Sequence, residues 1–293
     1  MGIKKINGGV EDFINKFVRA RGGDSTGLDA ATAWTSSPGY TEASGGFISD
    51  WVDPSPGNVY RTHIFTSSGT FVVSQVGDGA AGPSDVEYLV IGGGGGGGGD
   101  YEAAGGGAGG YRTTLPEGPG GGGSAEGSYP ISVGSYTITV GSGGAGGTTP
   151  HSSADGHGEN GSQSMLFPTP QSYPHPSYIR SEGGGGGGTY SGSAPTDPHA
   201  YGSPGGSGGG AGNIAAQQLP FPPGPGGAAN MIAGTSTPVS TQGYKGGDRG
   251  SQAHAPYFNG AGGGGAGAAA VDQDDNTFQK SFGGNGKRTE ITG

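Results

Sequence analysis

The sequence predicts a mainly β and irregular fold: a short N-terminal helix, a small β region, then a glycine-rich body of packed polyglycine-II-type helices with long surface loops. Three observations predict it. Glycine supplies 74 of the 293 residues, many of them in tracts such as 92–99 and 183–188. Hydrophobic residues make up only 29% of the chain, which is too few for an ordinary packed core. A strand-like run at 86–91 leads directly into the first long tract.

The polyglycine-II expectation rests on what an ordered glycine tract requires. Glycine loses more conformational entropy on ordering than any other residue, so its backbone groups must be well satisfied. An extended helix of this type has three residues per turn and rises ~3.1 Å per residue, so eight glycines span roughly 25 Å. Without side chains, such helices can pack closely and bond to several neighbours. We therefore expect backbone hydrogen bonds to replace much of the hydrophobic core.

Residues 1–59 form the first predicted domain, an N-terminal segment. Apolar residues from Ile3 to Phe17 recur at spacings of three and four, which predicts an amphipathic helix over about residues 9–21. Gly22 and Gly23 follow as a stop signal. The apolar face either packs on its own domain or docks to a partner or a second copy. A docking face would use Ile6, Val10, Phe13 and Phe17.

Residues 60–91 form the second predicted domain, a β hairpin region. The runs 60–66 and 70–76 are rich in β-forming residues, and the short loop between them ends in glycine, so we expect them to pair as a hairpin. The run 86–91 adds a third strand. A fourth lies at 135–140, where apolar residues alternate with threonine. We expect a small sheet that anchors the glycine tracts.

Residues 92–293 form the third predicted domain, in which glycine tracts alternate with long loops. The loops, at 148–182, 189–204, 213–242 and 251–259, contain Tyr, His, Ser and Pro. Proline stiffens such loops, and rigid aromatic side chains lose little entropy on contact, as in binding surfaces. The alternative is that these aromatics only cover the open ends of the glycine body.

Composition argues against several functional classes. The net charge is −10, although residues 1–21 hold five bases against two acids. An acidic chain without Arg-Gly-Gly repeats lacks the basic face that nucleic acid requires. The absence of cysteine removes disulfides and thiolate metal sites. No apolar stretch approaches the ~20 residues of a membrane span, and no signal peptide is visible, so we expect no membrane insertion.

No motif for catalysis, cofactor or metal is convincing. The strand before Gly92 satisfies a dinucleotide-binding glycine pattern, but a helix must follow, and glycine-rich sequence follows instead. The acidic runs 155–160 and 272–276 lack EF-hand spacing. His151 and His157 form a weak metal pair. We therefore predict a protein that is not an enzyme and has no cofactor or metal.

A series of motifs resembles a known family. These are the sequences at 86–94 (VEYLVIGGG), 108–113 (AGGYRT), 134–147 (GSYTITVGSGGAGG) and 284–293 (GNGKRTEITG). Over roughly residues 60–293 the chain resembles the glycine-rich domain of virion proteins of marine phages, including cyanophages. It is similar, more loosely, to the tip adhesins of T-even-type phage tail fibres, in which loops on layered polyglycine-II helices touch the host. The resemblance implies a structural phage protein with a receptor-binding tip.

The resulting expectation is a phage virion fibre or adhesin, located in the virion and in the host cytoplasm during assembly. Its partners would be other virion fibre or tail proteins through its N-terminus, and a host surface receptor, protein or glycan, through its loops; homo-oligomers are a further option. The first alternative is a purely structural virion protein, such as a capsid decoration or fibre shaft. The second, an ice-binding protein, needs a flat regular face, against which the irregular loops argue. The expected receptor contacts are Tyr173, Tyr178, Tyr190, Tyr201, His175 and His199.

Overall fold

The fold is mainly β and irregular, as predicted. The computed structural model describes residues 2–4, 39–52, 59–78, 83–99, 102–148, 156–168, 178–190, 197–213, 227–231, 241–249, 260–272, 281–289 and 291. Within these residues there are eleven strands, short 3₁₀ turns at Gly120–Gly122 and Pro198–Ala200, and no α-helix. The predicted helix over 9–21 lies outside the described residues.

The strands form two antiparallel sheets. Sheet 1 has the order β3-β4-β1-β6-β7, with β8 also paired to β6, and sheet 2 has the order β11-β10-β9-β5-β2. Every strand pair in both sheets is antiparallel. The strands are β1 Gly2–Lys4, β2 Glu42–Ser44, β3 Phe47–Val52, β4 Val59–Ile64, β5 Gly69–Gln75, β6 Asp85–Ile91, β7 Tyr111–Thr113, β8 Tyr129–Pro130, β9 Gly134–Thr139, β10 Ser164–Pro168 and β11 Ile179–Ser181.

The predicted hairpin within 60–91 is wrong, although both of its strands exist. β4 pairs with β3 and β1 in sheet 1, whereas β5 pairs with β9 and β2 in sheet 2. Phe65 follows β4 and is only 4% exposed, because it lies in the core between the sheets. Because the Phe65 ring is buried between the sheets, the chain crosses from β4 in sheet 1 to β5 in sheet 2 at this point. Gly45 and Gly46 make a second crossing beside it, with φ of +110° and +66°.

A hydrophobic core fills the space between the two sheets, and we call this unit the β sandwich. β6 of sheet 1 contacts β10 and β11 of sheet 2. The predicted strands at 86–91 and 135–140 are confirmed as β6 and β9, with Tyr136 and Ile138 of β9 facing the core. The core residues are Phe65, Phe71, Val73, Val86, Tyr88, Val90, Tyr129, Ile131, Tyr136, Ile138 and Leu166.

Ten hydrogen-bonded tracts, most of them rich in glycine, lie next to the sandwich, and we call them together the glycine body. In chain order they are tract 1 (92–99), tract 2 (103–110), tract 3 (141–148), tract 4 (156–162), tract 5 (182–189), tract 6 (199–206), tract 7 (207–213), tract 8 (242–249), tract 9 (260–267) and tract 10 (281–288). β6 leads into tract 1, β9 into tract 3 and β11 into tract 5, while tracts 2 and 4 lead back into β7 and β10.

Hydrogen bonds from tract 1 repeat every third residue. Its N–H groups at 92, 95 and 98 donate to tract 2, and those at 93, 96 and 99 donate to tract 4. Its carbonyls at 94 and 97 accept from tract 3, and those at 93 and 96 accept from tract 5. The N···O distances in these bonds are 2.8–2.9 Å. One tract therefore bonds to four neighbours in different directions, which a β-strand in a single sheet cannot do.

The bonds arrange the tracts in rows. The first row has the bonded order 3-1-2-9-10, and the second has the order 4-5-7-8. Tract 6 and the segment 227–231 bond to the second row from its other side. Tracts 2, 5 and 7 are enclosed by bonded neighbours, so they form the interior of the glycine body.

The sandwich and the glycine body share one register. Ile91 pairs with Tyr111 in sheet 1, and the next bond along is from Gly92 N–H to Gly110 O. The β9–β10 register continues without a slip into the bond from Glu159 to Ala145. The β10–β11 register continues likewise into the bond from Gly158 to Gly187. Strand pairing in the sandwich and glycine pairing in the tracts that adjoin it thus follow one continuous register.

Beyond the strands, where glycine replaces residues with larger side chains, the continuations of the two sheets come into direct backbone contact. Packed sheets ordinarily lie ~10 Å apart, yet tract 1, which continues sheet 1, bonds directly to tracts 4 and 5, which continue sheet 2. A Cβ atom on Gly93 would lie 2.0 Å from the carbonyl oxygen of Ser142, and one on Gly95 would lie 2.2 Å from that of Gly185. Glycine is required at these positions because another backbone occupies the space of a side chain.

Candidate binding surface at one end of the glycine tracts

Six of the chain's exits from the described residues lie at one end of the tracts, the end opposite the sandwich. We call it the loop end. The chain leaves there after residues 99, 148, 190, 213, 249 and 272, and re-enters there at 102, 156, 197, 260 and 281. Bonds from Gly99 to Gly156 and from Asn213 to Glu102 place these positions side by side. The ends of several described segments therefore lie close together at this end of the glycine body.

Three of the predicted contact residues lie at this end. Thr189 N–H donates to His199 O at 2.9 Å, which places Tyr190 beside the turn that carries His199 and Tyr201. All three side chains are partly exposed. Their positions follow from tracts 5 and 6, which are antiparallel neighbours in the glycine body.

Of the other three candidates, only Tyr178 is among the described residues, and it lies at the opposite end. Tyr178 directly precedes β11, at the sandwich end of tract 5. Strand β11 and tract 5 separate it from Tyr190 along the chain. Tyr173 and His175 lie outside the described residues, in the connection between β10 and β11. Of the described candidates, Tyr178 and Tyr190 therefore lie at opposite ends of tract 5.

A short turn holds the His199 ring. Asp197 caps the 3₁₀ turn Pro198–Ala200 by accepting a hydrogen bond from the backbone N–H of His199 at 3.0 Å. The same carboxylate oxygen lies 2.9 Å from Nδ1 of His199. Because a carboxylate accepts, Nδ1 donates to it and the ring is oriented. The His199 side chain remains 37% exposed, so a rigid polar and aromatic group faces solvent.

His157 joins two tracts behind this turn. Its Nε2 lies 2.9 Å from the carbonyl oxygen of Tyr201, and its Nδ1 lies 2.6 Å from that of Gly158. The ring thereby ties tract 4 to tract 6. The sequence did not indicate this role, since His157 stood out only by its spacing from His151.

A buried polar pair supports the other side of the loop end. Asn213 Nδ2 donates to Glu102 Oε2 at 3.0 Å, and both residues are buried. The backbone N–H of Asn213 also donates to Glu102 O at 3.2 Å. No local sequence pattern marks the two residues as a pair, because they are 111 positions apart.

The described residues contain no group of three or more His, Cys, Asp or Glu side chains placed to hold a metal ion. Only part of the acidic runs 155–160 and 272–276 is described, since 155 and 273–276 lie outside the described residues. In the same part of the chain, no helix is long and apolar enough to cross a membrane.

Comparison with known proteins gives one family. The family described as Glycine-rich domain matches residues 66–293, which include all ten tracts and most of the strands. Comparisons with curated proteins and with solved structures find no match. Since the matched region covers well over half of the chain, this protein belongs to the glycine-rich domain family.

Proposed function

We propose that the ten tracts are polyglycine-II-type helices that form the rigid body of a phage virion fibre or adhesin. The three-residue period of the bonds from tract 1 supports the helix type, because a polyproline-II-like helix turns once every three residues. The motif series from 86–94 to 284–293 supports the phage assignment. The proposed role is binding, with no catalytic step, cofactor or nucleic-acid partner.

The observation that carries the binding role is the gathering of chain exits at the loop end. A rigid platform that presents several loops on one face can vary its ligand while its body is unchanged. Tyr190, His199 and Tyr201 lie on this face, and we propose that they contact a protein or glycan receptor on the host. Each contact is weak, and several copies on one particle raise the avidity.

The other predicted contact residues belong to the sandwich end and to segments outside the described residues. We propose that Tyr178, at the sandwich end, and Tyr173 and His175, which lie outside the described residues, are further receptor contacts. We propose that Ile6, Val10, Phe13 and Phe17, which lie outside the described residues, dock the protein to other fibre or tail proteins. The protein would then be found in the virion, and in the host cytoplasm during assembly.

A purely structural virion role is the second candidate. The observation that favours it is the body itself, in which dense backbone bonding gives rigidity without a disulfide. A capsid decoration or fibre shaft needs such rigidity and no receptor contact. The two roles differ in whether the isolated protein binds host cells.

Adsorption blocking tests the binding role. Purified protein is incubated with candidate host cells, which are then challenged with phage. We expect specific cell binding and reduced adsorption. The double variant Tyr190→Ser/Tyr201→Ser should block at least tenfold less well with an unchanged melting temperature, whereas Tyr40→Ser, the same change beside β2 of the sandwich, should block as well as the wild type. If correctly folded protein leaves adsorption unchanged on every candidate host, the structural role replaces the binding role.

A further inference from the structure

Two tracts end the first row of the glycine body. Tract 3 bonds to tract 1 through the N–H groups of Gly144 and Gly147, and tract 10 bonds to tract 9 through the N–H of Gly284. In the bonded order 3-1-2-9-10 they lie at opposite ends, so they cannot pair with each other within one copy.

The exposed edges of tracts 3 and 10 have the same pattern. In 141–148 and in 281–288, one partly buried residue is followed by two exposed residues, and the pattern repeats every three positions. The partly buried residues face the neighbouring tract. At the exposed positions the N–H groups and the carbonyl oxygens of Gly143, Gly146, Gly283 and Gly286 have no backbone hydrogen-bond partner among the described residues. Both edges thus present open backbone donors and acceptors at three-residue spacing, as an unpaired edge strand presents open donors and acceptors.

Packing among the described residues does not explain the exposed glycines. A Cβ atom on Gly143 or Gly146 would lie 3.7 or 3.6 Å from its nearest neighbour, one on Gly283 would lie 3.6 Å away, and one on Gly286 would meet nothing within 4 Å. None of these residues has a positive φ angle. Alanine would fit, and glycine costs about 0.5–1 kcal/mol relative to alanine in an ordered segment. Inside the body, glycine occurs where another backbone comes too close for a Cβ.

An apolar pair lies beside the tract 10 edge. Phe282 is 59% exposed and Val271 is 53% exposed. Val271 N–H donates to Phe282 O at 3.0 Å, so the two lie on adjacent segments. An exposed aromatic residue with an apolar neighbour is typical of the anchor of a protein interface.

We propose that tract 10 of one copy adds beside tract 3 of another, so that copies of this protein associate head to tail. The new contact repeats the backbone bonding found between tracts inside the body, in the way that a peptide strand adds to a sheet edge. The partner is a second copy because the chain itself carries both edges, with the same spacing, at opposite ends of one row. Such a contact joins two different surfaces and is heterologous. The inference goes beyond the receptor-binding role and does not depend on it.

The test is the association state of the full chain by analytical ultracentrifugation over a wide concentration range. Gly143→Gln/Gly146→Gln blocks the tract 3 edge, and Gly283→Gln/Gly286→Gln blocks the tract 10 edge. Gly127→Gln is the matched control, since Gly127 is exposed and its Cβ would meet nothing within 4 Å. We expect the wild type and the control to associate, and each blocked variant to associate at least tenfold more weakly with an unchanged melting temperature.

Mixing the two blocked variants identifies which edges meet. Each variant keeps one intact edge, so the mixture should form a one-to-one dimer and no larger species. A wild type that stays monomeric at all concentrations, blocked variants that associate like the wild type, or a mixture that does not dimerise would each overturn the proposal.

Hydrogen exchange on the unmodified chain gives a readout that survives misfolding of a variant. Amides in 142–146 and 282–286 should become more protected as the protein concentration rises. Equal exchange at low and high concentration would overturn the proposal.

Discussion

In the β sandwich, side chains such as those of Tyr88 and Ile138 fill the space between two sheets, whereas in the glycine body the same backbones run side by side with nothing between them. The sandwich derives its stability from buried apolar area. The glycine body has few side chains to bury, and its order comes from backbone bonds in several directions. One hydrogen-bond register nevertheless runs through both regions. The difference shows that a region with few buried side chains can continue the register of a small apolar core.

A cavity in the sandwich core should have the largest effect. Ile138 is 0% exposed, and Ile138→Ala should lower the free energy of unfolding by about 2–5 kcal/mol. Because β9 continues into tract 3, amides of the glycine body should lose protection together with those of the sandwich. Chemical denaturation and hydrogen exchange measure the two effects. Tract amides that stay protected in the variant would show that the two regions are independent.

A methyl group inside the glycine body should have the next largest effect. In Gly95→Ala the new Cβ would lie 2.2 Å from the carbonyl oxygen of Gly185, so tracts 1 and 5 must separate. We expect a loss of about 3 kcal/mol, at the upper end of overpacking effects. Gly94→Ala is the control, because its Cβ would lie 3.8 Å from Gly107 O. Thermal unfolding should show a large loss only for Gly95→Ala, and equal losses would refute close packing at Gly95.

A smaller effect should be a pH dependence of the free energy of unfolding that comes from His63 in the sandwich. Burial lowers the pKa of His63 in β4, against the opposing effect of Gly45 O, which lies 2.7 Å from its Nδ1. As pH falls below about 6.5, the unfolded chain binds the proton before the folded chain does, so stability decreases. Above that pH the contribution is fully present. Urea unfolding at pH 8 and pH 5 should show a smaller decrease for His63→Gln than for the wild type.

The other histidines are common to both proteins, so they cancel in this difference. Identical decreases in the wild type and in His63→Gln would show that His63 does not titrate in this range. The change in stability with pH could then not be assigned to this sandwich residue.

The smallest effect should come from the sandwich surface. Arg61 donates to both carboxylate oxygens of Asp50 at 2.8 Å, and this hydrogen bonding lowers the pKa of Asp50. Both side chains are more than a third exposed, so solvent screens the pair. Asp50→Asn should cost less than about 1 kcal/mol at pH 7. The wild-type advantage should disappear as pH falls through the lowered pKa, and denaturation curves at pH 7 and pH 2.5 measure it. A larger loss would mean that Asp50 also has a packing role.

The sequence was sufficient to predict β6, β9 and the glycine tracts, because alternation and composition are local properties. It was not sufficient to predict the crossing at Phe65, since a short loop ending in glycine also suits a hairpin. Register within polyglycine has no local signal at all, because every glycine resembles the next. Only the side chains of the adjoining strands distinguish one pairing from another.

The candidate site was partly predictable from the order of elements. A residue that follows a strand and then a tract, such as Tyr190, must lie far from the sandwich. A residue that precedes a strand, such as Tyr178, must lie near it. The order of strands and tracts along the sequence contained this information, but the prediction grouped both tyrosines only as aromatic residues of long loops. Glu102 and Asn213 had no such signal, because their contact depends on how distant tracts pair.

The three-residue period of tract 1 limits how the glycine body can change during evolution. A tract lengthened by three residues keeps each donor turned toward the neighbour it already bonds. A single insertion turns all later donors by a third of a revolution, onto the wrong neighbours. Insertions and deletions within the tracts of related proteins should therefore occur in triplets, whereas at the loop end any number of residues can be gained or lost.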